Sequence, residues 1–321
     1  MRILIAEDDP VSRRVLVKTL QKWEHEVVVC SDGAQAWKSL QTNDSPQLAI
    51  LDWMMPEMDG LEVCKEVRRR TAEPYVYILL LTARSQKEDL IAGMEAGADD
   101  YLTKPFDAQE LRVKLHAGKR VLDLQSELIA AREALRLQAT HDPLTNLRNR
   151  AAILEVLKQE LARSAREDKF VGILMADVDH FKHINDTFGH QAGDRVLSEM
   201  AARMMCSIRP YDVAGRYGGE EFLIILPGCD MHTATMVAER LRATVGEEPF
   251  DLGTRKLLIT CSLGVVSSFD TTEAKIDWVI GLADSALYQA KNAGRDCVRS
   301  ATENECTSEA LNGAGGLGPQ S

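Results

Sequence analysis

Five short strand-like runs, at residues 3–6, 27–29, 48–51, 77–81 and 98–102, alternate one for one with amphipathic segments starting near Val11, Gly33, Gly60, Gln86 and Gln109. Strictly alternating strand and helix patterns predict an α/β doubly wound parallel sheet of five strands, because parallel neighbours need helical crossovers. Ligands of such sheets sit beyond the carboxyl ends of the strands, so the residues that follow each run are the ones that matter. The first run leads into Glu7, Asp8 and Asp9, the third into Asp52, the fourth into Thr82 and the fifth into Lys104-Pro105. One acidic residue after a strand commonly caps the next helix; two acidic strand ends brought to one edge of a parallel sheet make an acidic cup. Crowded carboxylates repel one another and are stable chiefly around a hard cation with oxygen ligands, Mg²⁺ or Mn²⁺ in its place. A hydroxyl and an ammonium facing that cup suit the oxygens of a phosphoryl group.

From residue 108 to 139 there is no proline and only Gly118 among glycines, in a stretch dominated by good helix formers. Val121, Leu124, Leu128, Ala131 and Leu135 fall at alternating spacings of three and four, which is the seam of a coiled coil. Leu115, Leu122 and Ile129 form a second row beside it at seven-residue spacing. The segment can lie as one long helix on its own domain or pair with a second chain. Its place between two globular regions, with two usable stripes, favours the second and a homodimer. A length of 321 residues suits two domains. With 38 Lys+Arg against 49 Asp+Glu, a net charge of −11 argues against wholesale binding to nucleic acid or an anionic membrane. Any anionic ligand must be held by a few local cations, with a metal. The 7 cysteines are scattered without a Cys-x-x-Cys pair, so neither a disulfide framework nor a cysteine zinc site is supported. No signal-peptide layout follows Met1, and no apolar run approaches the ~20 residues of a membrane span. The expectation is a cytoplasmic protein with neither nucleic acid nor membrane as partner.

Pro143 disfavours helix at Asp142 and closes the linker. Beyond it, strand-like runs at 170–176, 221–226 and 257–266, separated by long helical patterns, predict an α+β domain to about residue 300. The stretch 301–321, ending GAGGLGPQS, reads as a disordered tail. The densest chemistry lies at 175–194 and in Arg216-Tyr-Gly-Gly-Glu-Glu-Phe222. Asp177 and Asp179 share a face if the preceding strand continues. Gly218 and Gly219 can form a tight hairpin with positive φ that lets a ligand approach the backbone. Glu220 and Glu221 follow it directly, and Lys182 adds a cation. A Gly-Gly turn taken alone is most often only a turn; with these carboxylates it suits a Mg²⁺-triphosphate.

Residues 1–120 resemble the receiver domain of response regulators, and 142–299 resemble the GGDEF family of diguanylate cyclases in its GGEEF form. The first resemblance rests on LDWMMPEMDG and the four strand ends. It implies Asp52 as phosphoacceptor, Glu7 in the acidic pocket, Asp8, Asp52 and the Met54 carbonyl as Mg²⁺ ligands, and Thr82, Tyr101 and Lys104 as the switch. It also implies a cis Lys104-Pro105 step and a cognate histidine kinase. Trp53, Met54 and Arg84 flank the acceptor. The second rests on HDPLTNLRNR, with Asn146 where the family has glycine, and on the GGEEF and KNAGR segments. It implies a nucleotidyl-cyclase-like, palm-like fold, with Asp177, the Val178 carbonyl and Glu220 at a Mg²⁺ ion. Asn185 and Asp194 would read guanine, and Phe181, Lys182, Gly218, Gly219, Lys291 and Arg295 would hold the rest of GTP. Glu221 and Lys182 are the candidate catalytic groups. Arg209 and Asp212, with five residues between Asp212 and Gly218, resemble the family's inhibitory product site, with Arg240 as a secondary contact. The whole implies a receiver at 1–120, a linker helix at 108–140 and a cyclase at 141–300, with a homodimer formed through the receiver and the coiled-coil linker. Its activity would be condensation of two GTP to cyclic di-GMP, raised by phosphorylation and inhibited by product. The alternatives are a catalytically inactive response regulator that binds cyclic di-GMP, and a scaffold whose output is dimerisation.

Overall fold

The computed structural model describes residues 1–301 except 43, 71–73, 84–86, 253–254 and 269–275; the tail expected at 301–321 thus lies, after its first residue, outside the described residues. The first elements are β1 (Arg2–Ala6), α1 (Pro10–Lys22), β2 (Glu26–Cys30), α2 (Gly33–Leu40), β3 (Leu48–Asp52), α3 (Gly60–Arg69), β4 (Tyr77–Thr82), α4 (Lys87–Glu95) and β5 (Asp100–Thr103). All five strands are parallel, in the order β2-β1-β3-β4-β5. β3 and β4 are buried along their whole length, which explains why they read as continuous apolar runs rather than alternating ones. Leu4, Ala49, Leu51 and Leu80 pack on one face with Ala36 and Leu40 of α2 and Val63 of α3. On the other, Ile3, Ile5, Ile50 and Leu79 meet Leu16 and Leu20 of α1. Asp9 caps α1 by accepting from the Ser12 N–H, and Asp59 with Glu62 forms a reciprocal capping box on α3.

The next helix, α5 (Ala108–Thr140), is 33 residues long. Leu111, Leu115 and Leu122 are buried in the core beneath α1, and a Cβ on Gly118 would lie 2.7 Å from the Tyr77 ring. This corrects the expectation of two usable stripes: two of the three residues of the second row are committed to the parallel sheet. Val121, Leu124, Leu128, Ala131 and Leu135 remain exposed. The chain divides within α5 into two compact units, Met1–Glu133 and Ala134–Ser321.

The second unit contains α6 (Arg150–Glu167), β6 (Val171–Val178), α7 (Phe181–Phe188), α8 (His190–Ser207), β7 (Val213–Gly218), β8 (Glu221–Pro227) and α9 (Met231–Glu247). They are followed by β9 (Phe250–Asp251), β10 (Lys256–Leu257), β11 (Cys261–Ser268), α10 (Ile276–Asn292) and β12 (Val298–Ser300). The sheet order is β12-β11-β6-β8-β7, with β6 antiparallel to both neighbours, so the unit is α+β as the spacing predicts. The single strand expected over 257–266 is two: β10 pairs with β9 in a small hairpin, while β11 enters the main sheet. β7, β9 and β12 escape a reading by apolar runs, because each is short or interrupted by polar residues and glycine. α8 and α9 cover one face of the sheet through Val196, Met200, Val237 and Leu241. α6 and α10 cover the other through Ile153, Leu157, Val279 and Leu287. Among the described residues no helix is long and apolar enough to cross a membrane.

Candidate functional site

β1 and β3 are neighbours in the first sheet, so the residues that follow them meet. Carboxylate oxygens of Glu7, Asp8 and Asp52 lie within 4.8 Å of one another. Glu7 is fully buried and Asp52 nearly so, whereas Asp8 is exposed. Lys104 reaches across from the loop after β5, with Nζ 2.7 Å from Glu7 Oε2 and 2.9 Å from Asp52 Oδ2. Burial pushes the Glu7 carboxyl above the usual range; the bond from Lys104 opposes this and the charge of Asp52 adds to it. For Lys104 burial acts downwards, but bonding to Glu7 and Asp52 prevails and the ammonium is held more firmly than usual. Three converging oxygen donors with one cation fit a hard divalent ion. Arg13, which the sequence pattern does not single out, fixes the acidic turn by donating to the Glu7 and Asp8 carbonyls at 2.7 and 3.1 Å. Asp9 serves as a helix cap instead. Thr82 is buried at the end of β4, and Tyr101 lies half-buried in β5 with Lys114 Nζ 5.3 Å from its ring centroid. The Lys104–Pro105 peptide is cis. Met54 leaves β3 with an exposed side chain and Trp53 is buried beside it; Arg84 lies outside the described residues.

In the second unit, β6 runs to Val178, so Asp177 is paired in register with Glu221, the first residue of β8. Gly219 and Glu220 form the two-residue turn between β7 and β8, and the Glu220 carbonyl accepts from the Val178 N–H at 3.4 Å. Of the two glycines only Gly219, at φ +50°, is left-handed; Gly218 is the last residue of β7, which corrects the expectation of positive φ at both. Asp177, 4% exposed, ion-pairs with Lys291 of α10 at 2.8 Å. Burial pushes the Asp177 carboxyl up to about 6 against the pull of Lys291, and the charges of Glu220 and Glu221 raise it further. Burial also raises Glu221, with the charge of Asp284 next in weight. Asp177, Glu220 and the Val178 carbonyl offer oxygen donors that suit Mg²⁺, although among the described residues no second group of three carboxylates converges as Glu7, Asp8 and Asp52 do.

α7 begins at Phe181 after His180, at φ +59°, and no side chain caps its first turn. The Phe181 and Lys182 amides are therefore at the end of a helix whose first donors need partners from outside, the usual setting for an anion. Lys182 is exposed beside them. Asn185 Oδ1 is buried without a hydrogen-bond partner, and only a glycine fits against it, since a Cβ on Gly193 would lie 2.0 Å away. Asp194 is exposed on the next residue of α8. Arg295 is exposed, with φ +66°.

Two connections are invisible in the sequence. Arg216 places Nη1 3.2 Å from both Asp142 oxygens and donates through Nε to the Gly219 carbonyl at 2.9 Å, fastening the Asp142–Asn149 turn to the glycine turn. Asn146 sits in that turn at φ +57°, the left-handed conformation asparagine tolerates. Asp179, next to the end of β6, is taken up by Thr260, Ser262 and the Asp296 amide.

Arg209 and Asp212 flank a tight turn. Asp212 Oδ2 accepts from the Arg209 N–H at 2.8 Å, while its Oδ1 is buried without a partner, and burial raises the carboxyl. The Arg209 guanidinium is exposed and donates to the Tyr211 hydroxyl at 3.0 Å. Arg240 donates to the Ser207 carbonyl at 3.1 and 2.8 Å.

The family described as "Diguanylate cyclase, GGDEF domain" matches residues 139–297, and "Response regulator receiver domain" matches residues 3–116. Response regulator PleD of Caulobacter vibrioides is 34% identical over 306 residues, covering 92% of this chain and 65% of its own length. Diguanylate cyclase DgcP of Pseudomonas aeruginosa is 40% identical over 209 residues, 64% of this chain and 31% of that protein. The chain thus spans less than two thirds of either relative. The coiled coil and GGDEF domain of DgcB from Caulobacter crescentus, solved in complex with c-di-GMP, aligns with a TM-score of 0.52 at 31% identity over 61% of this chain and 100% of that one.

Proposed function

The chain belongs to the response regulators that join a receiver domain to a GGDEF diguanylate cyclase domain, and we propose that it condenses two GTP into cyclic di-GMP and two pyrophosphates under control of phosphorylation at Asp52. The observation that carries this reading is the end of β6. There Asp177 is paired in register with Glu221 beside the Gly219–Glu220 turn, and the unpartnered buried oxygen of Asn185 lies in the helix that follows.

At the first site the Asp52 carboxylate attacks the phosphorus of a phosphohistidine on a cognate kinase, the P–N bond breaks and the imidazole leaves on the kinase, and Lys104 transfers its pairing from the carboxylates to the arriving oxygens. Thr82 and Tyr101 then respond to the phosphoryl group. Asp8, Asp52 and the Met54 carbonyl would hold one Mg²⁺, and Asp177, Glu220 and the Val178 carbonyl another. When bound, the ion offsets the charge of the phosphate oxygens.

At the second site the α7 amides, Lys182, Lys291 and Arg295 hold the triphosphate, which requires Lys291 to exchange Asp177 for a phosphate oxygen. Asn185 and Asp194 face the guanine edge; adenine would leave the buried amide unpaired, which costs about 1–3 kcal/mol. Glu221, its carboxyl raised by burial, takes the proton of the attacking 3′-hydroxyl. One domain presents one GTP, so two must face each other for in-line attack. The exposed α5 stripe supplies the pairing surface of a homodimer. Product returns to Arg209 and Asp212, whose orphaned Oδ1 suits a guanine N–H, with Arg240 nearby. Such a protein works in the cytoplasm, where GTP and the kinase are found.

The test is GTP turnover by the purified chain with Mg²⁺, with and without beryllofluoride. Pyrophosphate release that rises with the phosphoryl mimic is expected. Absence of turnover in both states, with cyclic di-GMP still bound, would show instead a sensor that has lost catalysis.

A further inference from the structure

Asp179 is the one carboxylate at the end of β6 to which the mechanism above gives no task, and it is 4% exposed. Its Oδ1 accepts from the Ser262 hydroxyl at 2.7 Å. Its Oδ2 accepts from the Thr260 hydroxyl at 2.7 Å and from the Asp296 backbone N–H at 3.0 Å. Its own N–H donates to the Thr260 carbonyl at 3.0 Å. Three hydrogen bonds hold both oxygens of this side chain, whereas Asp177 two residues earlier is held by the Lys291 ion pair.

The segment it grips is strained. Gly294, Arg295 and Asp296 have φ of +114°, +66° and +45°, so two consecutive side chains beyond the glycine adopt the left-handed region. Such a conformation persists only where the surroundings over-determine it. Here the restraints are the Asp179 bond to the Asp296 amide, the Arg242–Asp296 ion pair at 2.6 Å and the Arg295 N–H donating to the Ala290 carbonyl at 3.2 Å. The Asp179 bond ties this turn to the far side of the site, because Asp179 immediately precedes His180 and the uncapped start of α7.

We propose that Asp179 is a positioning residue: its buried carboxylate locks the Arg295–Asp296 turn to the β6–α7 junction, so that Arg295 and the α7 amides are held ready for the same triphosphate. This rests on the nucleotide reading of the site. An asparagine can keep its oxygen toward Thr260 and the Asp296 N–H, turning its amide to Ser262, so Asp179→Asn preserves shape and removes the charge that strengthens three bonds.

The experiment uses the full chain and two readouts. Hydrogen exchange of the peptide spanning 294–297 needs no nucleotide; in Asp179→Asn it is expected to quicken about tenfold, and equal protection in wild type and variant overturns the proposal. Binding of a GTP analogue with sulfur on the α-phosphate is expected to weaken about tenfold in Asp179→Asn, with GMP binding unchanged and kcat at saturating GTP little affected. Arg295→Ala is expected to cost much less in the Asp179→Asn background than in wild type; full additivity overturns the linkage. If Asp179→Asn does not fold, the pair Thr260→Val with Ser262→Ala removes two of the three donors and must give the same exchange and non-additivity, in smaller measure. A wild-type chain that ignores GTP defeats the nucleotide reading, while the exchange measurement still decides for or against the lock.

Discussion

Both units bring a buried carboxylate and a lysine to the end of a strand, yet the two sites are built on opposite plans. In the parallel sheet, Lys104 serves Glu7 and Asp52 together, and a third carboxylate closes the cup within 4.8 Å. In the mixed sheet of the second unit, Lys291 ion-pairs with Asp177, and the other groups are spread over the β7–β8 turn, α7, α8 and the end of α10. A closed, charge-dense cup suits a small group such as phosphoryl, whose charge a single cation and a metal can offset. A dispersed set with an unpaired amide oxygen suits a long ligand that has a base at one end and phosphates at the other. The geometric cause is sheet topology: parallel strands deliver all their carboxyl ends to one edge, whereas β6 is antiparallel to both neighbours, so its carboxyl end meets the starts of β8 and β11 and the site must recruit helices and turns.

The sharpest way to break this contrast is to disable one site and read the other. Asp177→Asn should lower GTP turnover by roughly 10³-fold while leaving phosphoryl incorporation at Asp52 from acetyl phosphate unchanged, followed by radiolabel and pyrophosphate release. Loss of both would mean that the sites are not separate. Lys104→Met should cost the first unit about 3 kcal/mol, because the carboxylates lose their shared cation. Millimolar Mg²⁺ should recover much of that loss in thermal unfolding. The analogous Lys291→Met should not respond to Mg²⁺ without nucleotide, and an equal response of both variants would erase the distinction between closed and dispersed sites.

The pH dependence of metal-free protein offers a third test. Asp177 is held at about 6 against an ordinary 3.8, so between those values the folded state keeps a proton that the unfolded chain has released. Stability contributed by this group therefore falls as pH rises through that window and stays level above it, by at most about 3 kcal/mol. The slope should vanish in Asp177→Asn; its persistence would assign the titration elsewhere. The smallest effect concerns α5. If the exposed α5 stripe pairs two chains as proposed, Leu128→Lys should weaken self-association about tenfold by sedimentation, since the pairing would bury one leucine per chain there. Leu122→Lys should instead unfold the first unit, because Leu122 belongs to its core.

The strand ends of the first unit were legible because β1, β3 and β4 each carry an uninterrupted apolar run and the chemistry lies at or just beyond its end. Glu7, Asp8, Asp52 and Lys104 meet as the alternation implies. The second unit was legible at its motifs and less so between them. Asp177 and Glu221 come out paired, but β7 and β12 stayed hidden, and the single strand over 257–266 proved to be two. The spacing of α5 showed two apolar rows without saying which was spent, and packing against Tyr77 and Leu20 settled that for Leu115 and Leu122. Arg216 and Asp142, 74 residues apart, carried no signal of their pairing.

What the sequence by itself determined is the order of elements and the identity of the chemical groups, because periodicity and strand-end residues are local properties of the chain. Only the tertiary structure decided which of those groups are partners. It gave Lys291 to Asp177, bound Asp179 to Thr260, Ser262 and Asp296, and left oxygens of Asn185 and Asp212 without a donor. The physical reason is that hydrogen bonds and ion pairs are settled by distances of a few ångström between residues far apart in the chain, and no local pattern encodes those distances.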